Sequence, residues 1–377
     1  MTRWVLAAGD FTPQGGMDRA NHALARYLAM SDRDVHLVAH RVWPDLVSLP
    51  GVTVHQVPRP FGAHLLGGPL LARAASRTAR RLGPSTRLLS NGGNTRWIAP
   101  TWVHYLHAAY VPHVASGARA RLSAATGRRR YLALEAETIT RSPAIICNSL
   151  RTAAGVRRCY AVDASRVHVV YYGTDPEQFG AVTGEARRDA RRALGLDAES
   201  PVAVFIGALG DRRKGFDTLF DAWQRLCGDA AWDARLAVVG VGAEADAWEQ
   251  RAAAVGLGQR MLFLRFRSDV PRILAAGDVL VHPSRYEAYG LGVHEALCRG
   301  LPVIVSTSAG VAERLPDDLR PLELPDPIRA EDVTARLRAW RGDMAGWRAR
   351  AGAAGETLRR RTWDHMAAEI AGIVERT

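Results

Sequence analysis

The feature that most constrains this sequence is a regular alternation of short apolar runs with segments of helical period. Runs such as 202–206 (Val-Ala-Val-Phe-Ile) are apolar at every position, which is typical of strands buried on both faces of a parallel sheet. Most of them are separated by segments that read as helices, such as 17–29, 218–226 and 243–254. This alternation predicts an α/β fold in which crossover helices connect parallel strands. The predicted strands are 4–7, 35–39, 52–57, 87–89, 102–104, 144–147, 167–170, 202–206, 236–239, 261–264, 279–282 and 302–305.

The pattern resets once along the chain. A turn at 171–176 is followed by a polar, arginine-rich helical segment, and a new buried strand begins at Val202. We therefore predict two doubly wound domains, 1–175 and 176–355, followed by a helical tail at 356–377 that contains Trp363. Ligands of such sheets bind beyond the carboxyl ends of the strands, so we expect a cleft between the domains to hold the site.

Charge is distributed unevenly over the chain. The formal net charge is +12, and residues 46–134 contain no Asp or Glu at all. The segment 70–82 has a basic and an apolar face if it is helical, which favours contact with an anionic acceptor or membrane surface. An ordinary surface helix in an arginine-rich protein is the alternative. The basic face carries Arg73, Arg77, Arg80 and Arg81.

Several classes of protein are disfavoured. No apolar run approaches the ~20 residues of a membrane span, and the amino-terminal segment is typical of a first strand rather than of a signal peptide. The spacings of the four cysteines match neither a zinc site nor a disulfide framework, so we expect reduced thiols. These features predict a cytoplasmic protein.

The strongest motif lies after the predicted strand 279–282. Two glycines, Gly290 and Gly292, stand at the start of a helix and expose amides that attract phosphate. Two carboxylates, Glu287 and Glu295, flank this point and suit hydroxyl groups on either side of a phosphate, as in a sugar and a ribose. The alternative is that one acid favours the helix dipole and the other is solvated.

A second motif follows the predicted strand 202–206. Its loop contains Gly207 and three adjacent cations, Arg212, Arg213 and Lys214, the last being the only lysine of the chain. At the carboxyl end of a strand, such a loop indicates an anion site that can neutralise a diphosphate leaving group. A solvated basic loop is the alternative.

Two weaker signals lie in the first half. Gly15 and Gly16 follow the first strand and permit close backbone approach to a ligand at a helix start. His107 follows the strand at 102–104 and is a candidate for the cleft, although an isolated histidine is more often a packing residue.

Other motifs do not reach the standard of a site. The Asp32-Arg33-Asp34 triplet has the form of a metal-binding DxD but lies at the amino end of a strand, the wrong edge for a ligand. Residues 239–243 lack the third glycine and the acidic residue of a dinucleotide site. We therefore expect no metal and no bound cofactor.

At these residues the chain resembles the retaining glycosyltransferases of family 4 (glycosyl transferases group 1). The resemblance rests on Glu287-x7-Glu295, on the Gly-Leu-Pro-Val that follows it at 300–303, on Lys214-Gly215, on Gly15-Gly16 and on His107. It spans nearly the whole chain. It implies the GT-B fold, in which two Rossmann-like domains face a central cleft and a carboxyl-terminal helix crosses back to the first domain.

The resemblance also implies roles. Glu295 would hold the donor ribose, Glu287 the hydroxyls of the donor sugar, and Lys214 the leaving diphosphate. His107 would contact the transferring sugar, and Gly16 would lie near the phosphates. The catalytic set is then His107, Lys214 and Glu287. The implied donor-binding residues are Gly15, Gly16, Gly207, Arg212, Arg213, Lys214, Tyr289, Gly290, Leu291, Gly292 and Glu295.

One position departs from the family pattern. The family usually has an arginine directly after the glycine that ends the strand, but here that position is Ala208. Arg212 or Arg213 could supply the cation, and the sequence does not choose between them.

The resulting expectation is a metal-independent, retaining glycosyltransferase that moves a sugar from a nucleotide-diphosphate sugar to an acceptor hydroxyl. Cell-surface glycan, glycolipid or glycosylated-metabolite synthesis would be its setting, with an anionic or lipid-linked acceptor and contact at the inner face of the membrane. The alternative is a non-catalytic protein that binds anionic membrane or nucleic acid through its basic half, but it would not need the Glu287/Glu295 pair. A sugar phosphorylase or an epimerase on the same fold is a third possibility. A pyridoxal phosphorylase is disfavoured because Lys214 is the only lysine.

Overall fold

Parallel strands form both large sheets of the computed structural model, which describes residues 2–92, 97–113, 118–210 and 212–377. Parts of the acid-free stretch, 93–96 and 114–117, therefore lie outside the described residues. The strands are β1 (Arg3–Ala7), β2 (Asp10–Phe11), β3 (Asp34–Ala39), β4 (Arg41–Val42), β5 (Val52–Gln56), β6 (Arg87–Asn91), β7 (Thr101–Val103), β8 (Ile145–Cys147), β9 (Val167–Val169), β10 (Val202–Ile206), β11 (Arg235–Val239), β12 (Met261–Arg265), β13 (Val279–His282) and β14 (Val303–Val305).

Helices lie between most of these strands. They are α1 (Met17–Met30), α2 (Pro44–Val47), α3 (His64–Leu82), α4 (Ala118–Arg141), α5 (Leu150–Cys159), α6 (Gly184–Ala193), α7 (Phe216–Cys227), α8 (Ala245–Ala254), α9 (Val270–Ala276), α10 (Leu291–Cys298), α11 (Ala330–Gly342), α12 (Met344–Arg359) and α13 (Trp363–Arg376). Every strand predicted from the sequence is present. The two-residue strands β2 and β4 were not predicted, because runs that short have no periodicity to detect.

The chain divides into two compact units. The first comprises Met1–Gly173 and Arg361–Thr377, and the second comprises Thr174–Arg360. The sequence places the boundaries at 175/176 and 355/356. The second boundary falls later in the structure because α12 runs on to Arg359. This helix packs so closely against α10 that a Cβ at Gly355 would lie 2.2 Å from the carbonyl oxygen of Leu297.

The first unit is built on a seven-stranded parallel sheet of order β5-β3-β1-β6-β7-β8-β9, which is doubly wound. Its core includes Val5, Val38 and Leu88 from the strands, and Leu71 and Ala75 from α3. The apolar face of α3 therefore packs against the sheet, whereas its arginines at 73, 77, 80 and 81 are exposed. These four arginines are therefore available to a partner.

The last helix, α13, belongs to the first unit. It packs against α1, and the Arg33 guanidinium contacts the Glu375 carboxylate at 2.9 Å. At its start, the rings of Trp363 and Tyr172 have centroids 6.0 Å apart. Helix α13 is thus anchored at both ends within this unit.

The second unit has a five-stranded parallel sheet of order β12-β11-β10-β13-β14. An aromatic cluster of Phe205, Phe216, Phe220 and Trp248 packs between the sheet and helices α7 and α8. All four cysteines of the chain are unpaired. No helix in the described part of the chain is both long enough and apolar enough to cross a membrane.

Candidate active site

The candidate donor site of the second unit lies where β10, β11 and β13 end. The loops after β10 and β11 are joined by backbone hydrogen bonds, in which the N–H of Gly207 donates to the Val239 carbonyl and that of Leu209 to the Val241 carbonyl. A Cβ at Gly240 would lie 1.9 Å from the carbonyl oxygen of Gly207. Glycine is therefore required at 240 for the two loops to approach this closely.

The basic loop after β10 is fixed against the loop after β13. Gly215 has φ of +71°, and a Cβ there would lie 1.8 Å from the carbonyl oxygen of Pro283. The backbone N–H of Arg285 donates to the Arg213 carbonyl at 2.8 Å. The guanidinium of Arg285 donates to both carboxylate oxygens of Asp217, at 2.7 and 2.9 Å. These contacts hold the cations of one loop beside the carboxylate of the other.

Glu287 is the centre of an ion cluster. Its Oε2 accepts a hydrogen bond from Nζ of Lys214 and another, at 3.3 Å, from the Arg213 guanidinium. Nε2 of His282, the last residue of β13, lies 3.6 Å from the same oxygen. The side chains of Glu287, Lys214 and Arg213 are 16–18% exposed, so the cluster is largely shielded but still reachable by a ligand.

The electrostatics of the cluster keep Glu287 ionised. Burial alone would raise the pKa of Glu287, but Lys214, His282 and Arg213 outweigh burial and lower that pKa well below its usual range. Burial lowers the pKa of His282, an effect that the neighbouring carboxylate only partly offsets. At neutral pH the cluster therefore has an anionic Glu287, a neutral His282 and two cations.

Helix α10 begins directly beside this cluster. Its N-cap, Gly290, has φ of +105°, and a Cβ there would lie 3.4 Å from Cγ of Glu287. A Cβ at Gly292 would meet no atom within 4 Å, so the space over the first turn of the helix is open. Amides at a helix start are typical anion-binding groups, and here the Glu287 carboxylate that Lys214 contacts lies beside them.

Two buried side chains, one just before α10 and one within it, complete this part of the site. Tyr289, which precedes the helix, is buried, and its hydroxyl lies 3.0 Å from Nδ1 of His294. Glu295, one turn into the helix, is also buried, with 5% exposure. The structure thus brings Lys214, Arg213 and Glu287 into direct contact and places Glu295 on the adjacent helix.

The geometry distinguishes the two arginines that could replace the cation missing at Ala208. Arg213 lies beside Lys214 on the Glu287 carboxylate. Arg212 is exposed, and its backbone carbonyl accepts a hydrogen bond from Arg285. Of the two candidates, Arg213 is the one next to Lys214.

In the first unit, the glycine turn and His107 lie at the carboxyl ends of strands. Gly15 has φ of +77°, and Gly16 is the N-cap of α1. Close by, burial and the Asp10 carboxylate raise the pKa of Asp18 to about 6. Asp32 and Asp34 lie at the amino end of β3, away from this edge, as the sequence predicts for a surface turn.

His107 is held by a buried acid that sequence reasoning missed. The Glu135 carboxylate accepts the backbone N–H groups of His107 at 2.6 Å and Ala108 at 3.0 Å, and the Tyr160 hydroxyl at 2.6 Å. The His107 ring stacks on Tyr131, with centroids 4.9 Å apart and planes within 7°. Burial lowers the pKa of His107, although Glu135 acts in the opposite direction. The imidazole is therefore neutral at pH 7.

Glu135 and His282 are the two functional candidates absent from the sequence-based set. The sequence does contain a signal for Glu135, because it is the first acid after the acid-free stretch 46–134. His282 ends a predicted strand, but nothing in the sequence distinguishes it from other histidines.

Both halves of the chain match known glycosyltransferase families. Residues 14–178 match Glycosyltransferase Family 4, and residues 200–335 match Glycosyl transferases group 1. The D-inositol 3-phosphate glycosyltransferase of Jonesia denitrificans is 29% identical over 75% of this chain and 67% of its own length. The enzyme of the same name from Xylanimonas cellulosilytica is 30% identical over 73% of this chain and 66% of its own. The chain thus spans about two thirds of these relatives.

Solved structures share the whole fold at low identity. Sucrose-phosphate synthase from Thermosynechococcus elongatus has a TM-score of 0.80 at 21% identity, over 100% of this chain and 99% of its own. Anabaena Alr3699/HepE, solved in complex with UDP-glucose, has a TM-score of 0.73 at 19% identity over 100% of both chains.

Proposed function

Because this chain belongs to the family 4 glycosyltransferases and has their GT-B fold, we propose that it transfers a sugar from a nucleotide-diphosphate sugar to an acceptor hydroxyl, with retention at the anomeric carbon and without a metal. The observation that supports this most directly is the contact of Lys214 and Arg213 with Glu287 at the start of α10. A cation pair, a row of free amides and a carboxylate together match a diphosphate that is joined to a sugar.

The donor is assigned group by group. Lys214, assisted by Arg213, neutralises the diphosphate, and the amides of Gly290, Leu291 and Gly292 bind its oxygens. Glu287 accepts hydrogen bonds from the sugar hydroxyls, and Glu295 accepts those of the ribose. The relative solved with UDP-glucose supports a nucleotide-sugar donor of this kind.

In the transfer, the bond between the anomeric carbon and the diphosphate oxygen breaks, and the acceptor oxygen bonds to that carbon on the same face. The hydroxyl proton leaves with the diphosphate. Negative charge grows on the diphosphate as the sugar acquires oxocarbenium character, so Lys214 and Arg213 contribute most in the transition state. The neutral His107 contacts the transferring sugar, in the position that Glu135 fixes.

The four exposed arginines of α3 support a peripheral contact with anionic membrane lipid at the inner face. Each such cation near an anionic surface contributes about 1 kcal/mol. Since the apolar face of α3 is buried in the core, this contact is electrostatic and should decrease as salt increases. Co-sedimentation with anionic vesicles at low and high salt tests it; absence of binding at both would refute the membrane contact.

The transferase is tested by calorimetric titration of UDP, GDP, ADP and TDP, with EDTA present, into the wild type and Glu295→Ala. We expect one nucleotide to bind tightly to the wild type and much more weakly to the variant. Wild-type affinity in the variant would refute the ribose assignment. No binding of any nucleotide would remove the main support for the transferase and leave the basic half as an anion-binding surface.

A further inference from the structure

A cavity of about 410 Å³ lies within the first unit. This volume falls within the range of pockets that hold drug-sized molecules. Gly9, which follows β1, Asn91 and Gly92, where β6 ends, and His104, which follows β7, line it. It therefore lies at the carboxyl edge of the sheet, where the strand order reverses between β1 and β6, which is the ligand-binding edge of such a sheet.

The walls of the cavity are predominantly apolar. Four aromatic side chains, Trp97, Trp102, Tyr105 and Tyr131, line it, together with aliphatic residues of α3 and α4 such as Leu71 and Leu134. Three lining residues, Met17, Trp97 and Ile98, are large hydrophobic side chains that remain 42–58% exposed to solvent. Aromatic walls of this kind favour a flat ring system.

The charges of the cavity do not suit a phosphate. Of its described lining residues, two are arginines, Arg130 and Arg141, and two are acids, Glu135 and Glu137. Arg141 is already paired with Glu137 at 2.9 Å, and Glu135 is engaged by His107. A phosphate group is best bound by several cations, and among the described lining residues Arg130 is the one arginine that is not paired with an acid.

Two buried nitrogen atoms in the lining have no hydrogen-bond partner within the part of the chain that the structure describes. They are Nε1 of Trp102 and Nε2 of His104. Since Asn148 donates to the Tyr172 hydroxyl at 3.2 Å, that hydroxyl can give its own hydrogen to Nδ1 of His104 at 2.5 Å. Burial lowers the pKa of His104 to about 3, so its ring is neutral and its single proton is on Nε2. Nε2 of His104 and Nε1 of Trp102 are therefore both donors.

His107 also lines this cavity. Neither nitrogen of its ring has a partner among the described residues, so either can contact a bound hydroxyl group. An apolar cavity that contains the predicted sugar-contacting histidine is suited to the other substrate of the transfer.

We propose that this cavity binds the acceptor as an unphosphorylated, hydroxylated aromatic or fused-ring compound, which stacks against the aromatic walls and presents its hydroxyl to His107. The inference rests on the proposed glycosyl transfer and narrows its acceptor. It departs from the anionic or lipid-linked acceptor expected from the sequence, because the arginines of α3 that motivated that expectation are not among the lining residues.

The test is calorimetric binding of 2-naphthol to the full chain, with myo-inositol 1-phosphate as the polar comparison. Two variants reduce the cavity from two different lining helices: Gly68→Phe on α3, where an added Cβ would meet no atom within 4 Å, and Thr138→Phe on α4. The matched control is Gly342→Phe, which adds the same side chain to a helical glycine of the second unit that is equally open.

We expect 2-naphthol to bind the wild type and the Gly342→Phe control equally, and both cavity variants at least about tenfold more weakly, a difference of about 1.4 kcal/mol. Failure of 2-naphthol to bind, or equal affinity in a folded cavity variant, would overturn the inference, as would preferential binding of the inositol phosphate. Nucleotide titration on the same samples separates the two claims. If a nucleotide binds and 2-naphthol does not, only the acceptor inference is refuted. If 2-naphthol binds and no nucleotide does, the proposed glycosyl transfer is refuted, whereas the assignment of the cavity to an apolar ligand stands.

Discussion

Replacing Lys214 by alanine removes one of the two cations that meet the Glu287 carboxylate. The side chains of Lys214 and Glu287 are 18% and 16% exposed, so an effective dielectric of about 20 is appropriate, and a unit charge about 4 Å away then contributes about 4 kcal/mol. If only half a charge develops on the departing diphosphate, the contribution is about 2 kcal/mol. These limits correspond to a loss of kcat between about thirtyfold and a thousandfold.

The assay is steady-state release of nucleoside diphosphate at saturating acceptor, with thermal unfolding of each variant recorded beside it. Arg192→Ala is the matched control, since it also removes one cation from the second unit but from a side chain that is 80% exposed. Lys214→Arg, which keeps the charge, should recover part of the loss. A correctly folded Lys214→Ala enzyme with wild-type kcat would refute the assignment of this lysine to the leaving group.

Three further predictions concern the residues around this centre. The pKa of Glu287 is lowered in the folded protein from its usual 4.5, so its contribution to the free energy of unfolding is complete above pH 4.5 and is lost as the pH falls towards the folded pKa. Urea unfolding across the acid range should therefore depend less on pH in Glu287→Gln than in the wild type, and an unchanged dependence would contradict the ion cluster. Glu135→Gln should lower kcat by about tenfold to a hundredfold through misplacement of His107, with nucleotide affinity unchanged in calorimetry, and weakened nucleotide binding would instead indicate a general loss of structure. Gly215→Ala should lower the free energy of unfolding by about 1–2 kcal/mol for the left-handed backbone and by about 1–3 kcal/mol for the contact with Pro283. Urea unfolding measures this loss, and a variant as stable as the wild type would show that the two loops are not held as described.

The sequence predicted most of the architecture, because buried parallel strands such as β10 are apolar at every position and therefore recognisable without their partners. The same holds for the motifs around Glu287 and Lys214. Each is local, and each contains a glycine with a positive φ, Gly290 at +105° and Gly215 at +71°. The sequence predicted the ends of elements less accurately, as at α12, whose extension to Arg359 depends on how closely Gly355 approaches Leu297.

The sequence by itself thus determined the fold class, the strand that precedes each candidate site loop, and the charged residues in those loops. Only the tertiary structure decided which of those groups meet. Three features join residues distant in the chain: the contact of Arg213 and Lys214 with Glu287, the support of His107 by Glu135, and the apolar cavity lined by residues of α3 and α4. Their physical cause is packing: local patterns specify which face of an element is buried, whereas the distances between side chains on different elements are set only when those faces come together.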